Sequence, residues 1–292
     1  MKSVVKGRAE KNEILLSFLK NSLKLSSSLI KKAKRIENGI LVNGEKRFTN
    51  TTVNKGDIVE VTIQTADEKS ENIPLCDIPL DIVFEDEYLL IINKDGEIPT
   101  HPSLNNYDKS VGGAVLNYYE KQGENFVFRP VNRLDKGTSG LMVIAKNPLV
   151  HELLKKSLHS GDFEREYLAV VCGNLQGSGR IDKPIFREEK SIIKRIVDNR
   201  GVNAVTNYEV VENYPVKTLI KLRLETGRTH QIRVHLSYIG HAVYGDYLYG
   251  KSASDIKRPA LHSYKISLTH PISQEKLEIE IPLKDDITKI LE

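Results

Sequence analysis

Thr65 to Asn72 reads TADEKSEN, a polar, net acidic stretch with neither helical nor strand periodicity. Such a segment has nothing to bury, so the chain is expected to fold as two pieces joined there. The division is a small module over residues 12–64, a linker over 65–78 and a large domain over 79–292. Charge follows the same division. Residues 1–64 hold 13 Lys and Arg against 6 Asp and Glu, a balance of +7, whereas the other 228 residues balance at −3. A basic head on a nearly neutral body points to a polyanionic partner read by the head, with a merely solvated surface as the alternative.

Several classes drop out. No run of about 18 apolar residues is present, so a membrane span is excluded. The N-terminus is charged from Lys2 onward and does not read as a signal peptide, which makes a cytoplasmic location the expectation. Cys76 and Cys172 are the only cysteines, too few for a disulfide scaffold. His101, His230, His235, His262 and His270 match no zinc spacing, so no metal is expected.

In the head, Ile14, Leu15, Phe18 and Leu19 mark one face of a short helix. Ser26, Ser27 and Ser28 offer caps for a second helix, with Leu29, Ile30, Ala33 and Ile36 apolar and Asn38-Gly39 as its stop. Lys31, Lys32, Lys34 and Arg35 are interleaved with that apolar set and are candidate RNA-binding residues. A strand around Ile40–Val42, an Asn43-Gly44 turn and a strand over Ile58–Ile63 complete a small α/β plan suited to RNA.

Strands dominate the body. Leu89–Ile92 and Gly140–Ala145 are buried apolar runs, and Tyr167–Val171 and Thr218–Leu224 also read as strands. Asn147-Pro148 opens a helix to about Leu158 that Gly161 closes, and Thr229 is a candidate cap for a helix carrying Ile232, Leu236 and Ile239. The fold class is α+β: a large mixed or antiparallel sheet with flanking helices, preceded by the small α/β module.

Arg133 to Gly140, RLDKGTSG, places Asp135 between two cations in a glycine-bearing turn before a buried strand. Neighbouring cations favour the ionised carboxylate, the form that serves as nucleophile or base, although a salt-bridged structural turn has the same sequence. Thr226 to Leu236 sets Arg228 and Arg233 at a strand-to-helix junction, where anions are gripped. Tyr167 opens a strand, placed either to stack on a base or to fill the core.

RLDKGTSG, REYLAVVCG, GRTHQIRVHL, GDYLYG and RPALHSYKISLTHP, in this order, resemble the RluA-type pseudouridine synthases of ribosomal and transfer RNA. The resemblance runs from about Ile82 to the C-terminus, and the head resembles the small basic RNA-binding domain first known from a ribosomal small-subunit protein. It implies a catalytic Asp135, a base-stacking Tyr167, an Arg233 that pairs with the aspartate, and a Leu261 that floors the uracil pocket. Arg133 would lie near the space left by the flipped nucleotide, and Arg228 would contact substrate. The chain departs from the family at Asn132, where many relatives have His, and at Asp95, where the family's KPxGxxxHP stretch has a proline.

The implied reaction cuts the bond from ribose C1′ to uracil N1, turns the base and joins C1′ to C5. No atom enters or leaves, so no cofactor is expected, and the enzyme is expected to act as a monomer on structured RNA. The target base must first be flipped from its stack. Large-subunit ribosomal RNA is the first choice of substrate and transfer RNA the second. A non-catalytic RNA-binding protein and an RNA or DNA glycosylase are the competing readings; only the synthase keeps the uracil in the polymer.

Overall fold

The computed structural model describes residues 2–64, 70, 72–103 and 107–292. The head runs β1 (Lys2–Arg8), β2 (Glu13–Ile14), α1 (Leu15–Asn21), α2 (Ser27–Ala33), β3 (Ile40–Val42), β4 (Glu45–Lys46), β5 (Thr52–Val53) and β6 (Ile58–Gln64). The body runs β7 (Ile82–Glu85), β8 (Leu89–Lys94), α3 (Val111–Glu120), β9 (Ser139–Ala145), α4 (Pro148–Ser160) and β10 (Phe163–Cys172). It continues with β11 (Ser178–Asp182), β12 (Ile185–Arg187), β13 (Arg195–Val197), β14 (Val205–Asn213), β15 (Lys217–Leu224), α5 (Gln231–Tyr238), β16 (Leu261–Thr269), β17 (Lys276–Glu280) and α6 (Asp285–Thr288). Residues 65–69 and 71 of the expected linker lie outside the described residues; Ser70 accepts a hydrogen bond from the Phe128 amide, and Ile73 packs on the body's core.

Two helices pack on an antiparallel sheet of order β1-β6-β3-β4 in the head. Asn43 and Gly44 both take positive φ, 51° and 82°, between β3 and β4, the geometry a two-residue hairpin needs. Ser26 caps α2 by accepting from the Leu29 amide, and Asn38 takes the left-handed conformation after the helix. Three local expectations change. Ile14 is 53% exposed, because it is still extended in β2 when α1 begins at Leu15. The second helix stops at Ala33, since the Ile36 and Gly39 amides turn back onto the Ala33 and Ile36 carbonyls; Lys34 therefore caps it and Arg35 lies in the turn beyond. Lys2–Arg8, outside the expected 12–64 module, forms an edge strand whose few apolar residues carry no clear alternation.

The body is built on one nine-stranded sheet, β11-β14-β15-β10-β16-β9-β8-β7, with β17 also on β16, and carries β12-β13 as a separate antiparallel pair. Every pairing in it is antiparallel except β9 with β16. The central strands are covered on both faces, which explains their unbroken apolar runs. Leu90, Ile92, Met142 and Ile144 face one way, onto Val115 of α3 and Leu236 of α5. Leu89, Ile91, Leu141 and Val143 face the other, onto Val150 and Leu154 of α4. Helix α4 is capped by Asn147, whose side chain accepts from the Val150 amide. Among the described residues, no helix is long and apolar enough to cross a membrane.

Head and body share a surface. Leu149, fully buried at the start of α4, belongs to the apolar cluster of the head, with Leu153 and Ile272 packed against the same cluster. Leu149→Ala should therefore lower the unfolding free energy by about 2–5 kcal/mol in denaturant titration, the usual loss for a truncated core leucine. A loss below about 1 kcal/mol, the scale of an ordinary surface change, would mean that the head does not rest on α4.

Candidate active site

A cavity of about 500 Å³ opens beside the central parallel pair and contains Asp135, Tyr167, Arg233, Arg133, Arg228 and Leu261 in its lining. The structure brings all six together from separate stretches of chain. Asp135 lies in the loop before β9, and Leu261 begins β16, so both sit at the starting ends of the parallel strands. That seam is tight at Gly140, whose φ is +110° and where a Cβ would come within 2.2 Å of the Ser263 carbonyl. No other residue type fits there.

The loop that carries Asp135 is fastened along its length. Asn132 is buried; its side chain accepts from the Val143 amide (2.8 Å) and donates to the Leu141 carbonyl (3.3 Å), so one amide satisfies two backbone groups of β9. Thr100 donates to the Leu134 carbonyl at 2.7 Å, and the Gly137 amide donates to the Gly96 carbonyl at 2.7 Å. Arg258 donates to the Gly137 carbonyl at 3.0 Å while its guanidinium grips Asp286 through two bonds of 2.6 and 2.7 Å. Lys94 lies 2% exposed beneath this loop and donates to the Asp95 and Ile98 carbonyls, both at 2.7 Å. Burial pushes its ammonium down to about 7. Asp95, where the family resemblance implies a proline, accepts from the Glu97 amide at 2.8 Å and makes the turn by a side-chain bond.

Arg233 is 2% exposed and pairs most closely not with Asp135 but with Asp246, through Nε–Oδ2 at 2.6 Å and Nη2–Oδ1 at 2.8 Å. Its remaining nitrogen, Nη1, faces Asp135 Oδ2 at 3.9 Å. The expected pairing of Arg233 with Asp135 is thus secondary: its two-pronged grip is on Asp246, and a single nitrogen faces Asp135 beyond hydrogen-bond length. Spacing does not single out Asp246, since GDYLYG carries no periodicity that marks a buried carboxylate. His230, a histidine for which no metal role is expected, also places its Nε2 3.9 Å from Asp135 Oδ2.

The expected cap of α5 is not Thr229. His230 occupies the cap position at φ 59° with no side-chain cap bond. Gln231 orders the preceding turn instead, accepting from Thr226 Oγ1 (2.8 Å) and the Arg228 amide (3.0 Å) and donating to the Val205 carbonyl (2.9 Å). Tyr167 stands where β10 shifts register against β16 after Glu166, a bulge that re-aims the side chain. It is 4% exposed, and burial raises its hydroxyl above the ordinary range, so it meets a ligand as a neutral phenol. Arg133 and Arg228 are exposed, Arg228 donating from Nε to the Asn203 carbonyl at 3.1 Å, while Leu261 is 3% exposed. Lys155 and Arg165 add two cations to the lining. Among the described residues no His, Cys, Asp and Glu cluster could hold a metal ion.

A buried guanidinium without its carboxylate is an uncompensated charge. Asp246→Asn should cost about 3–5 kcal/mol of stability, read from denaturant midpoints, because it leaves Arg233 unpaired. A stability unchanged from the wild type would show that Arg233 is held by other groups.

Comparison with known proteins places this geometry. The family model described as RNA pseudouridylate synthase matches residues 88–238. An uncharacterized RNA pseudouridine synthase of Bacillus subtilis is 37% identical over 270 residues, covering 92% of this chain and 95% of its own. Ribosomal large subunit pseudouridine synthase D of Escherichia coli is 39% identical over 247 residues, 80% of this chain and 76% of its own. The solved structure of human RNA pseudouridylate synthase domain containing 4 shares the fold, with a TM-score of 0.57 at 22% identity over 72% of this chain and 91% of that one. A family match across half the chain and relatives this similar over most of its length lead to one conclusion: the chain belongs to the RNA pseudouridylate synthases, as an RluA-type enzyme.

Proposed function

We propose that this RNA pseudouridine synthase converts uridines of large-subunit ribosomal RNA, with Asp135 as the reacting carboxylate and residues 12–64 as the RNA-binding module of a monomeric, cytoplasmic enzyme. The observation that carries the site assignment is the convergence on one carboxylate. Of the two acids that line the cavity, Glu225 is engaged by Arg180 and Asn207, whereas Asp135 is held on a loop fixed by side chains from elsewhere and faced by the remaining nitrogen of a buried Arg233. The ribosomal choice is supported by the likeness to the large-subunit synthase of Escherichia coli.

In this reading a uridine flips out of its helix and enters the cavity. Leu261 floors the base, Tyr167 stacks on it, and Arg133 fills the space it leaves. Arg228 meets the backbone at the rim. Asp135 acts on the ribose, as nucleophile at C1′ or as base toward the 2′ proton; in either case the C1′–N1 bond breaks. The free uracil turns within the cavity, C1′ joins C5, the C5 proton leaves and N1 gains one, so the product is an isomer. Tyr167, as a neutral phenol, holds the base during the turn; it helps remove the C5 proton only by passing its own hydroxyl proton on as it takes the other, and so ends neutral.

Asp135→Asn should leave folding and RNA affinity intact and abolish conversion. Measurable single-turnover product from the pure variant would remove Asp135 from its role. Mapping pseudouridines in ribosomal and transfer RNA from cells with and without the gene tests the substrate. Losses confined to transfer RNA would overturn the ribosomal reading.

The head's contribution is best tested in the full chain, because removing residues 1–64 would bare Leu149, Leu153 and Ile272 on the body. Replacing Lys31, Lys32, Lys34 and Arg35 together by Ala should weaken RNA binding. It should also flatten the log–log salt dependence by roughly 0.7 to 0.9 for each phosphate that is no longer neutralised. Saturated turnover should change little. Identical slopes and affinities for variant and wild type would show that this surface does not bind the RNA.

A further inference from the structure

His230 holds a left-handed backbone, φ 59°, at the junction between β15 and α5. Non-glycine residues adopt that conformation at a cost, and such strain gathers at functional sites. Here it turns the imidazole inward: the side chain is 11% exposed and lines the cavity. Its Nδ1 lies 2.8 Å from the Tyr249 hydroxyl, and the two rings meet edge to face with centroids 5.6 Å apart.

The protons can be placed by requiring that each buried group be satisfied. The Tyr249 oxygen already accepts from the Arg195 amide at 2.9 Å. Among the described residues, the acceptor in reach of the phenol's own proton is His230 Nδ1. That donation makes Nδ1 an acceptor and leaves the ring's proton on Nε2. Burial, with Arg233 and Arg195 nearby, lowers the imidazole's affinity for a second proton, so the ring stays neutral despite Asp135 and Asp246.

Nε2 then points its N–H at Asp135. It lies 3.9 Å from Oδ2, and Arg233 Nη1 lies 3.9 Å from the same oxygen. Both approaches exceed hydrogen-bond length, the ordinary state of an unliganded site whose contacts tighten when substrate arrives.

We infer that His230 is a positioning residue: its Nε2–H and the Arg233 Nη1–H together hold Asp135 Oδ2, so that Oδ1 is the oxygen that meets the ribose. The inference rests on the reading of Asp135 as the reacting carboxylate. It adds that the two oxygens have separate tasks. Oδ1 forms the bond to C1′ or takes the 2′ proton, while Oδ2 keeps its two donors and returns the carboxylate to the same pose when the C1′–C5 bond has formed. Tyr249, through its hydroxyl, sets the tautomer on which this depends.

The test compares His230→Ala, His230→Gln and Asp135→Asn in single-turnover conversion of large-subunit ribosomal RNA isolated from cells lacking the gene. His230→Ala should slow conversion by about a hundredfold, the scale of a misplaced reacting group, without weakening RNA binding. His230→Gln, which can again present an N–H toward Oδ2, should recover about a tenth or more of the wild-type rate, where a role in folding alone would give no such rescue. In the wild-type protein, ¹⁵N spectra of labelled histidine should show His230 as the Nε2–H tautomer, a measurement that stands even if the alanine variant fails to fold. A proton on Nδ1, a wild-type rate for His230→Ala, or a loss that glutamine does not reduce would overturn the inference. If His230→Ala keeps its rate while Asp135→Asn is inactive, only the role of His230 falls; an active Asp135→Asn removes the reading beneath it.

Discussion

The ion pair between Arg233 and Asp246, with side chains 2% and 0% exposed, is the constraint from which the site is assembled. Two charges taken out of water must satisfy each other completely, so their geometry is dictated rather than loosely preferred. Arg233 belongs to α5, and Asp246 Oδ1 also accepts from the Leu248 and Tyr249 amides. The pair therefore locks the helix to the turn that follows it and sets the Tyr249 ring 5.1 Å from the guanidinium. Removing either charge would disturb the helix, the turn and the ring together.

Against that fixed unit stands the loop of Asp135, held by a different set of bonds. Thr100, Gly96, Asn132 and Arg258 each fasten a backbone group within it or beside it, and Arg258 carries the restraint onward to Asp286 of α6. Rearranging one nucleotide in place draws its rate from positioning and from charge placed in advance. Both halves of the site meet that demand by tying backbone to buried side chains, leaving the face toward the cavity open to a base.

Helix α4 relates the cavity to the head. Leu149 and Leu153 pack with the head's core, while Lys155, Leu158 and His159, further along the same helix, line the cavity. A single rigid element thus spans from the basic module to the cavity. The spacing between head and cavity is therefore set by a helix and not by the linker alone.

Much of this was legible in the residues. Asn147-Pro148 marked α4, Asn43-Gly44 marked a turn, and the apolar runs marked β8 and β9, because caps, turns and burial act over a few neighbouring positions. The ordered motifs identified the family and singled out Asp135, Tyr167, Arg228, Arg233 and Leu261, all of which line one cavity. What stayed hidden were the partners: Asp246 for Arg233, Gln231 in place of Thr229, His230 facing Asp135, Arg258 on the loop, and Leu149 under the head. The amino-acid sequence alone determined which short elements form and which side chains are available for the chemistry. Only the tertiary structure decided which side chain each of them meets, because a buried charge or hydroxyl is satisfied by whatever the fold brings within about 3 Å, and sequence spacing does not encode that distance.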